Sequence, residues 1–169
     1  ISGAGTLDLG TAGHTVTVAD NAANAVDMYW SMNTLTGSGT FVKAGAGTLD
    51  ISGITNNLFT GSIQVTAGAV LGQPTGNNLI LNGGVYEGSG TFTRSLGTTG
   101  NTVQWAAGAN GGFSANGGPL TVTINNSATP ALVWDSTPQF VSGAGALLFG
   151  SVSANNVVTF TNDIDLNNA

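Results

Sequence analysis

Two basic residues, eight acidic ones and a single histidine are the charged chemistry that this 169-residue chain can deploy. A histidine base needs a nucleophile or a carboxylate within reach. His14 stands in a Gly13-His14-Thr15 turn, with Asp8 and Asp20 only loosely nearby. It reads as an exposed turn residue, and with no second histidine to share an ion it does not read as a metal ligand. The carboxylates make a better case, because glycoside cleavage uses two carboxyl groups facing one bond and lyases add cations to hold developing negative charge. Asp163 and Asp165 alternate on one strand face, whereas Asp8, Asp50 and Glu87 are distant in sequence and meet only if strands stack. Lys43 and Arg94 are the only cations, too few for lyase chemistry. Asp163 and Asp165 read as solvated residues flanking an inward Ile164. Weak calcium binding is open to them, but the glycine-aspartate nonapeptide of calcium-binding rolls is absent. Among the aromatics, Trp105 and Trp134 share the alternation of Val103 and Leu132 and are expected inside or at a corner. Tyr29 and Trp30 lie in a loop-like stretch and are the candidates for contact with a partner, such as a stacked sugar ring.

The elements that would position these residues are short strands. Phe41, then Leu49 and Ile51, then Ile63 and Val65 point one way while polar neighbours point the other, the period-two pattern of half-buried strands. Glycine and asparagine separate the runs, at residues that accept positive φ easily. Further runs follow at Leu79 to Leu81, Val85 with Tyr86, Thr91 to Thr93, Val103 to Trp105, Leu120 to Ile124, Leu132 to Trp134, Leu147 to Phe149, Val157 to Phe160 and Ile164 to Leu166. Residues 20 to 34 break the alternation and are expected to form a protruding loop leading into a strand at Met28 to Met32. The expected core contains Leu49, Ile51, Ile63, Val65, Leu79, Leu81, Val122 and Ile124, with Gly53, Gly61 and Gly68 at corners. Recurrent asparagines at turns, Asn56, Asn57, Asn77, Asn78, Asn125, Asn126, Asn155 and Asn156, are candidates for hydrogen-bonded ladders between stacked strands.

Composition narrows the function classes. Only 6% of residues are charged, far below the usual quarter, so ion-pair networks cannot be what holds the fold. Disorder usually combines high charge with few apolar residues, and here 41% are hydrophobic and mean hydropathy is positive. A net charge of −6 with two cations excludes phosphate neutralisation, hence nucleic acid, and attraction to an anionic membrane surface. No cysteine is present, which removes disulfides and thiolate metal sites. No apolar run approaches the ~20 residues of a membrane-spanning helix. No cofactor or resident metal is expected.

One stretch, residues 37 to 72, carries more than alternation. Gly37, Gly39, Phe41, Lys43, Gly45, Gly47, Thr48, Leu49, Ile51, Gly53, Phe59, Thr60, Gly61, Val65, Gly68 and Val70 resemble the passenger-associated β-strand repeat of bacterial autotransporters. Phe59 replaces that pattern's usual tyrosine, and Asn56-Asn57 stands where it has one asparagine. The motif covers about a fifth of the chain. The phrase G-x-G-x-[LF] recurs at Gly3, Gly37, Gly45, Gly88 and Gly143, a degenerate repeat. The resemblance implies a right-handed parallel β-helix outside the cell, with no catalytic residues.

The resulting expectation is a single all-β domain over 1–169, a right-handed parallel β-helix or β-solenoid of about eight coils at roughly 20 residues each. Neither end looks capped: Ile1 begins in mid-motif and the chain stops on an alternating strand without lysine or proline. The chain therefore reads as one repeat unit or protomer of an end-to-end array at a bacterial surface or in a secreted protein. Its partners would be itself or neighbouring repeats. A glycan- or cell-binding adhesin is the alternative, and a β-helix polysaccharide lyase or hydrolase comes behind both.

Overall fold

The computed structural model describes residues 2–72, 75–125 and 131–167. In chain order the strands are β1 (Ser2–Asp8), β2 (His14–Thr17), β3 (Met28–Tyr29), β4 (Ser31–Thr36), β5 (Phe41–Ala44), β6 (Thr48–Asp50), β7 (Asn56–Asn57), β8 (Ile63–Val65), β9 (Ala69–Leu71), β10 (Leu79–Leu81), β11 (Val85–Leu96), β12 (Thr102–Trp105), β13 (Gly111–Asn125), β14 (Leu132–Val133), β15 (Leu147–Phe149), β16 (Val158–Phe160) and β17 (Ile164–Asp165). No helix occurs among the described residues. The chain is all-β, with parallel strands in curled sheets.

Each strand pairs with one that follows it by a whole circuit of intervening chain. His14 lies against Phe41, Phe41 against Ile63, Ile63 against Leu79, and Leu79 against Val103, which makes the stack β2-β5-β8-β10-β12. A second stack runs β3-β6-β9-β11-β13-β15, and a third runs β1-β4-β7. The end of β11 joins the first two stacks by pairing with β12. Parallel pairing needs a crossover, and here the other stacks' strands supply it in place of helices. The stack that carries the column from Met28 to Phe149 has six strands, so the expectation of about eight coils is reduced: circuits above residue 85 are longer than the motif suggests.

Because in-register parallel pairing puts like positions over one another, the apolar alternation becomes columns. Met28, Leu49, Val70, Tyr86, Phe113 and Phe149 form one such column. All eight core residues expected from the alternation are buried. Trp105 is buried too, its indole N–H donating to the Gly111 carbonyl at 2.9 Å. Trp134 is half-buried, edge-on to Phe140 at 6.2 Å. Ile164, expected inward, is exposed, since its column partner Leu132 covers one side only.

The G-x-G phrase does two jobs. Around residues 37–47 it makes corners, whereas in β1 and β11 it lies within a strand whose register shifts at Gly3/Thr6 and at Gly88/Gly90. There it bends a long strand and does not end it.

Candidate functional site

The two candidate contact residues separate. Tyr29 is 48% exposed, but Trp30 is buried against Phe41 with ring centroids 5.0 Å apart. Pleating explains this, because neighbours along extended chain face opposite ways. Trp30 is therefore core and cannot offer a face to a ligand. Its indole Nε1 is a buried donor without a partner.

The carboxylates do not converge either. Asp50 and Glu87 share an outward row, but Leu71 stands between them, which sets their backbones roughly 10 Å apart at two strand spacings. Asp8 belongs to the β1-β4-β7 sheet. Several aspartates instead hold turns: Asp8 accepts from Gly10 N at 2.8 Å, Asp50 from Ser52 N at 2.7 Å and Asp165 from Asn167 N at 2.9 Å. Each bridges two residues along, the Asx-turn geometry. His14 is exposed, and no group of three potential metal ligands exists among the described residues.

Both cations are turned inward. Lys43 occupies the apolar column Val16, Lys43, Val65, Leu81, Trp105 and is wholly buried. Its Nζ donates to the carbonyls of Gly45 at 2.6 Å and Ala67 at 2.9 Å, and also to that of Gly47. Burial pushes this ammonium down to about 8, with the nearby Asp27 charge acting the other way. Arg94 also points inward; its Nη1 donates to Asn77 O at 2.8 Å and its guanidinium lies 5.2 Å from the Phe92 ring centroid. Burial lowers its pKa, opposed by Tyr86. With both cations spent on carbonyl oxygens, no lysine or arginine reaches the exterior.

A third buried ionisable group faces outward and is covered. Glu87 accepts from Ser114 Oγ at 2.7 Å, from Asn116 Nδ2 at 2.9 Å, from Ser153 Oγ at 2.8 and 2.9 Å, and from Ser151 Oγ. Ser151 and Ser153 belong to a strap between β15 and β16 that folds back over the sheet, where Ser153 Oγ also lies 2.8 Å from Thr48 Oγ1. Chemically this is a satisfied carboxylate: the hydroxyls around it donate to it, and no histidine joins them.

The asparagines act more as caps than as a continuous ladder. Asn57 donates to Asn77 Oδ1 at 2.6 Å and Asn155 to Asn116 Oδ1 at 3.0 Å. Asn77 also donates to the Phe59 and Gly61 carbonyls of the neighbouring circuit. Asn126 lies outside the described residues. The concavities include a groove of about 340 Å³ beside Trp105, Asp135, Gln139 and Phe140, one of about 280 Å³ beside Ala67, Gly84 and Ser151, one of about 270 Å³ beside Gly3, Ser31 and Thr55 and a cleft of about 210 Å³ beside Leu35, Ile51, Asn57 and Ile63. None of these contains Tyr29, and none joins two carboxylates.

Sequence reasoning missed the inward cations although the signal was present: Lys43 is two residues from Phe41 and Arg94 two from Phe92, each in phase with the core. Glu87 gives no such signal, since it is out of phase with Tyr86 and is buried only by the strap. Comparison with protein-family models, with curated proteins and with solved structures finds no match.

Proposed function

We propose that this chain is an extracellular structural segment: a right-handed parallel β-helix serving as stalk, fibre or matrix element of a bacterial surface or secreted protein. It carries no reaction and assembles end to end with copies of itself or with neighbouring repeats. The observation that supports this most is the state of the core columns at the last level. Phe149 continues a column buried at every level from Leu49 to Phe113, yet is 54% exposed itself; Ile164 and Leu166, in and just past β17, are exposed as well. A further parallel level, from the same chain or another, is the natural cover for such a surface, because an open strand edge recruits a strand and a solenoid needs its ends covered. The resemblance of residues 37–72 to autotransporter passenger repeats supports the extracellular setting. The inward use of both cations fits a role in which ionisable groups hold corners.

Sedimentation and electron microscopy of the 169-residue chain test the reading. Rods that lengthen with concentration, in steps of roughly 30 Å for six levels at ~4.8 Å each, are expected, and Phe149→Lys should abolish them. Monodisperse single units at high concentration, unaffected by Phe149→Lys, would rule end-to-end assembly out.

A further inference from the structure

Strands β11 and β13 and the end of β16 carry Thr-x-Thr with an inward residue between the threonines: Thr91-Phe92-Thr93, Thr121-Val122-Thr123 and Thr159-Phe160-Thr161. Thr91 pairs with Thr121 and Thr121 with Thr159, while Thr93 pairs with Thr123. Thr123 Oγ1 lies 2.8 Å from Thr161 Oγ1, which completes the second column. The register from Gly90 to Ser95 and from Leu120 to Val122 is unbroken. The intervening Phe92, Val122 and Phe160 belong to the core or pack against it. Parallel pairing sets the threonines about 4.8 Å apart across strands and about 6.6 Å apart along them. Each threonine is β-branched and stiff at χ1, so the grid of hydroxyls and methyls is held with little freedom left to lose.

The other outward rows in this chain are mixed. One reads Val42, Gln64, Ile80, Gln104 and another Asp50, Leu71, Glu87, Ser114. Threonine's preference for strands acts on all these rows alike and does not explain why one face alone repeats it in two dimensions. On β11 and β13 that face carries no charge: Arg94 turns inward, and the adjoining outward positions are Ser95 and Asn125, while Asp163 follows Thr161 two residues on along the third strand.

From this we infer that the β11-β13-β16 face is a binding surface for an ordered water lattice, that is, for ice. The cross-strand repeat of the grid lies close to one oxygen repeat of hexagonal ice, and methyl groups interleaved with hydroxyls can seat in such a lattice without the tightly bound hydration that charges impose. A rigid surface of this kind loses little entropy on adsorption. A crystalline polysaccharide is the less suitable occupant, because the aromatics that would stack sugar rings, Phe92 and Phe160, are turned to the core side. The inference stands independently of end-to-end assembly, although stacking would add rungs.

The test is partition of the fluorescently labelled chain into a slowly growing ice hemisphere, with an inert globular protein as reference. Enrichment in the ice above that reference is expected. Thr121→Lys should remove it, and Thr159→Lys, at the more exposed outer rung, should do the same with an unchanged thermal unfolding midpoint. Thr15→Lys, exposed on β2 away from this face, should leave enrichment intact. Exclusion of the unaltered chain from ice, enrichment that survives the lysine variants, or capture by microcrystalline cellulose without enrichment in ice would each overturn the inference.

Discussion

From residue 28 to 72 the circuits are short and their corners press on one another, whereas above residue 85 the circuits lengthen and several turns stand clear. A Cβ placed on Gly61 would sit 1.9 Å from the Gly39 carbonyl oxygen, and one on Gly39 would sit 1.8 Å from that of Ala12. These glycines are required by space, because each corner rests on the one before it. Gly108, with φ of +68°, has nothing within 4 Å of such a Cβ; it is required by backbone conformation alone. Buried charge differs in the same way. Lys43 meets two of its three carbonyls within four residues, while Glu87 draws Ser151 and Ser153 from a strap more than sixty residues on. The lower region carries its own instructions locally, and the upper one depends on chain that returns from afar.

The comparison breaks most decisively at the corners. Gly61→Ala should lower stability by roughly 4 kcal/mol or prevent folding, since a backbone must move, whereas Gly108→Ala should lose only about 1–2 kcal/mol for its left-handed conformation. Denaturant midpoints decide between them, and equal losses would show that corner stacking is not what separates the two regions.

Next in size are the buried cations. Lys43→Met keeps the column filled but strips three carbonyls of their donor, for an expected loss of about 2 kcal/mol. Undiminished stability would mean that water takes over those oxygens. In the upper region, Glu87→Gln brings an amide donor against hydroxyl donors, and about 1–2 kcal/mol should be lost. The effect should be local: proteolysis and amide exchange should rise within 150–157 while the amides of β5 and β8 keep their protection. Loosening that spread past the strap and its Thr48 contact to β5 and β8 would contradict this local role.

The smallest effect is on pH dependence. Lys43 is held at about 8 in the fold against an ordinary 10.5, so between those values the unfolded chain binds more protons than the folded one. Stability then rises with pH through that window. Thermal unfolding from pH 7 to 10.5 should show the rise in the unaltered chain and its absence in Lys43→Met.

Much of this was legible in order along the chain. Period-two alternation fixed which face of each run is apolar, and every core residue named from it between Leu49 and Ile124 is buried, because a pleated strand leaves side chains no third direction. Glycine spacing in residues 37–72 marked the corners, since stacked corners exclude a Cβ. The same alternation, followed strictly, also places Lys43 and Arg94 inward against the habit of reading cations as surface. What alternation could not decide was anything set by which strand lies on which. The number of levels, the separation of Asp50 from Glu87 by Leu71, and the burial of outward Glu87 under Ser151 and Ser153 all arise from contacts between residues far apart in sequence. The threonine grid divides between the two sources: Thr-x-Thr is written five times in the sequence, but parallel register lays only three of the copies side by side, because the spacing between strands belongs to the pairing and not to any one strand.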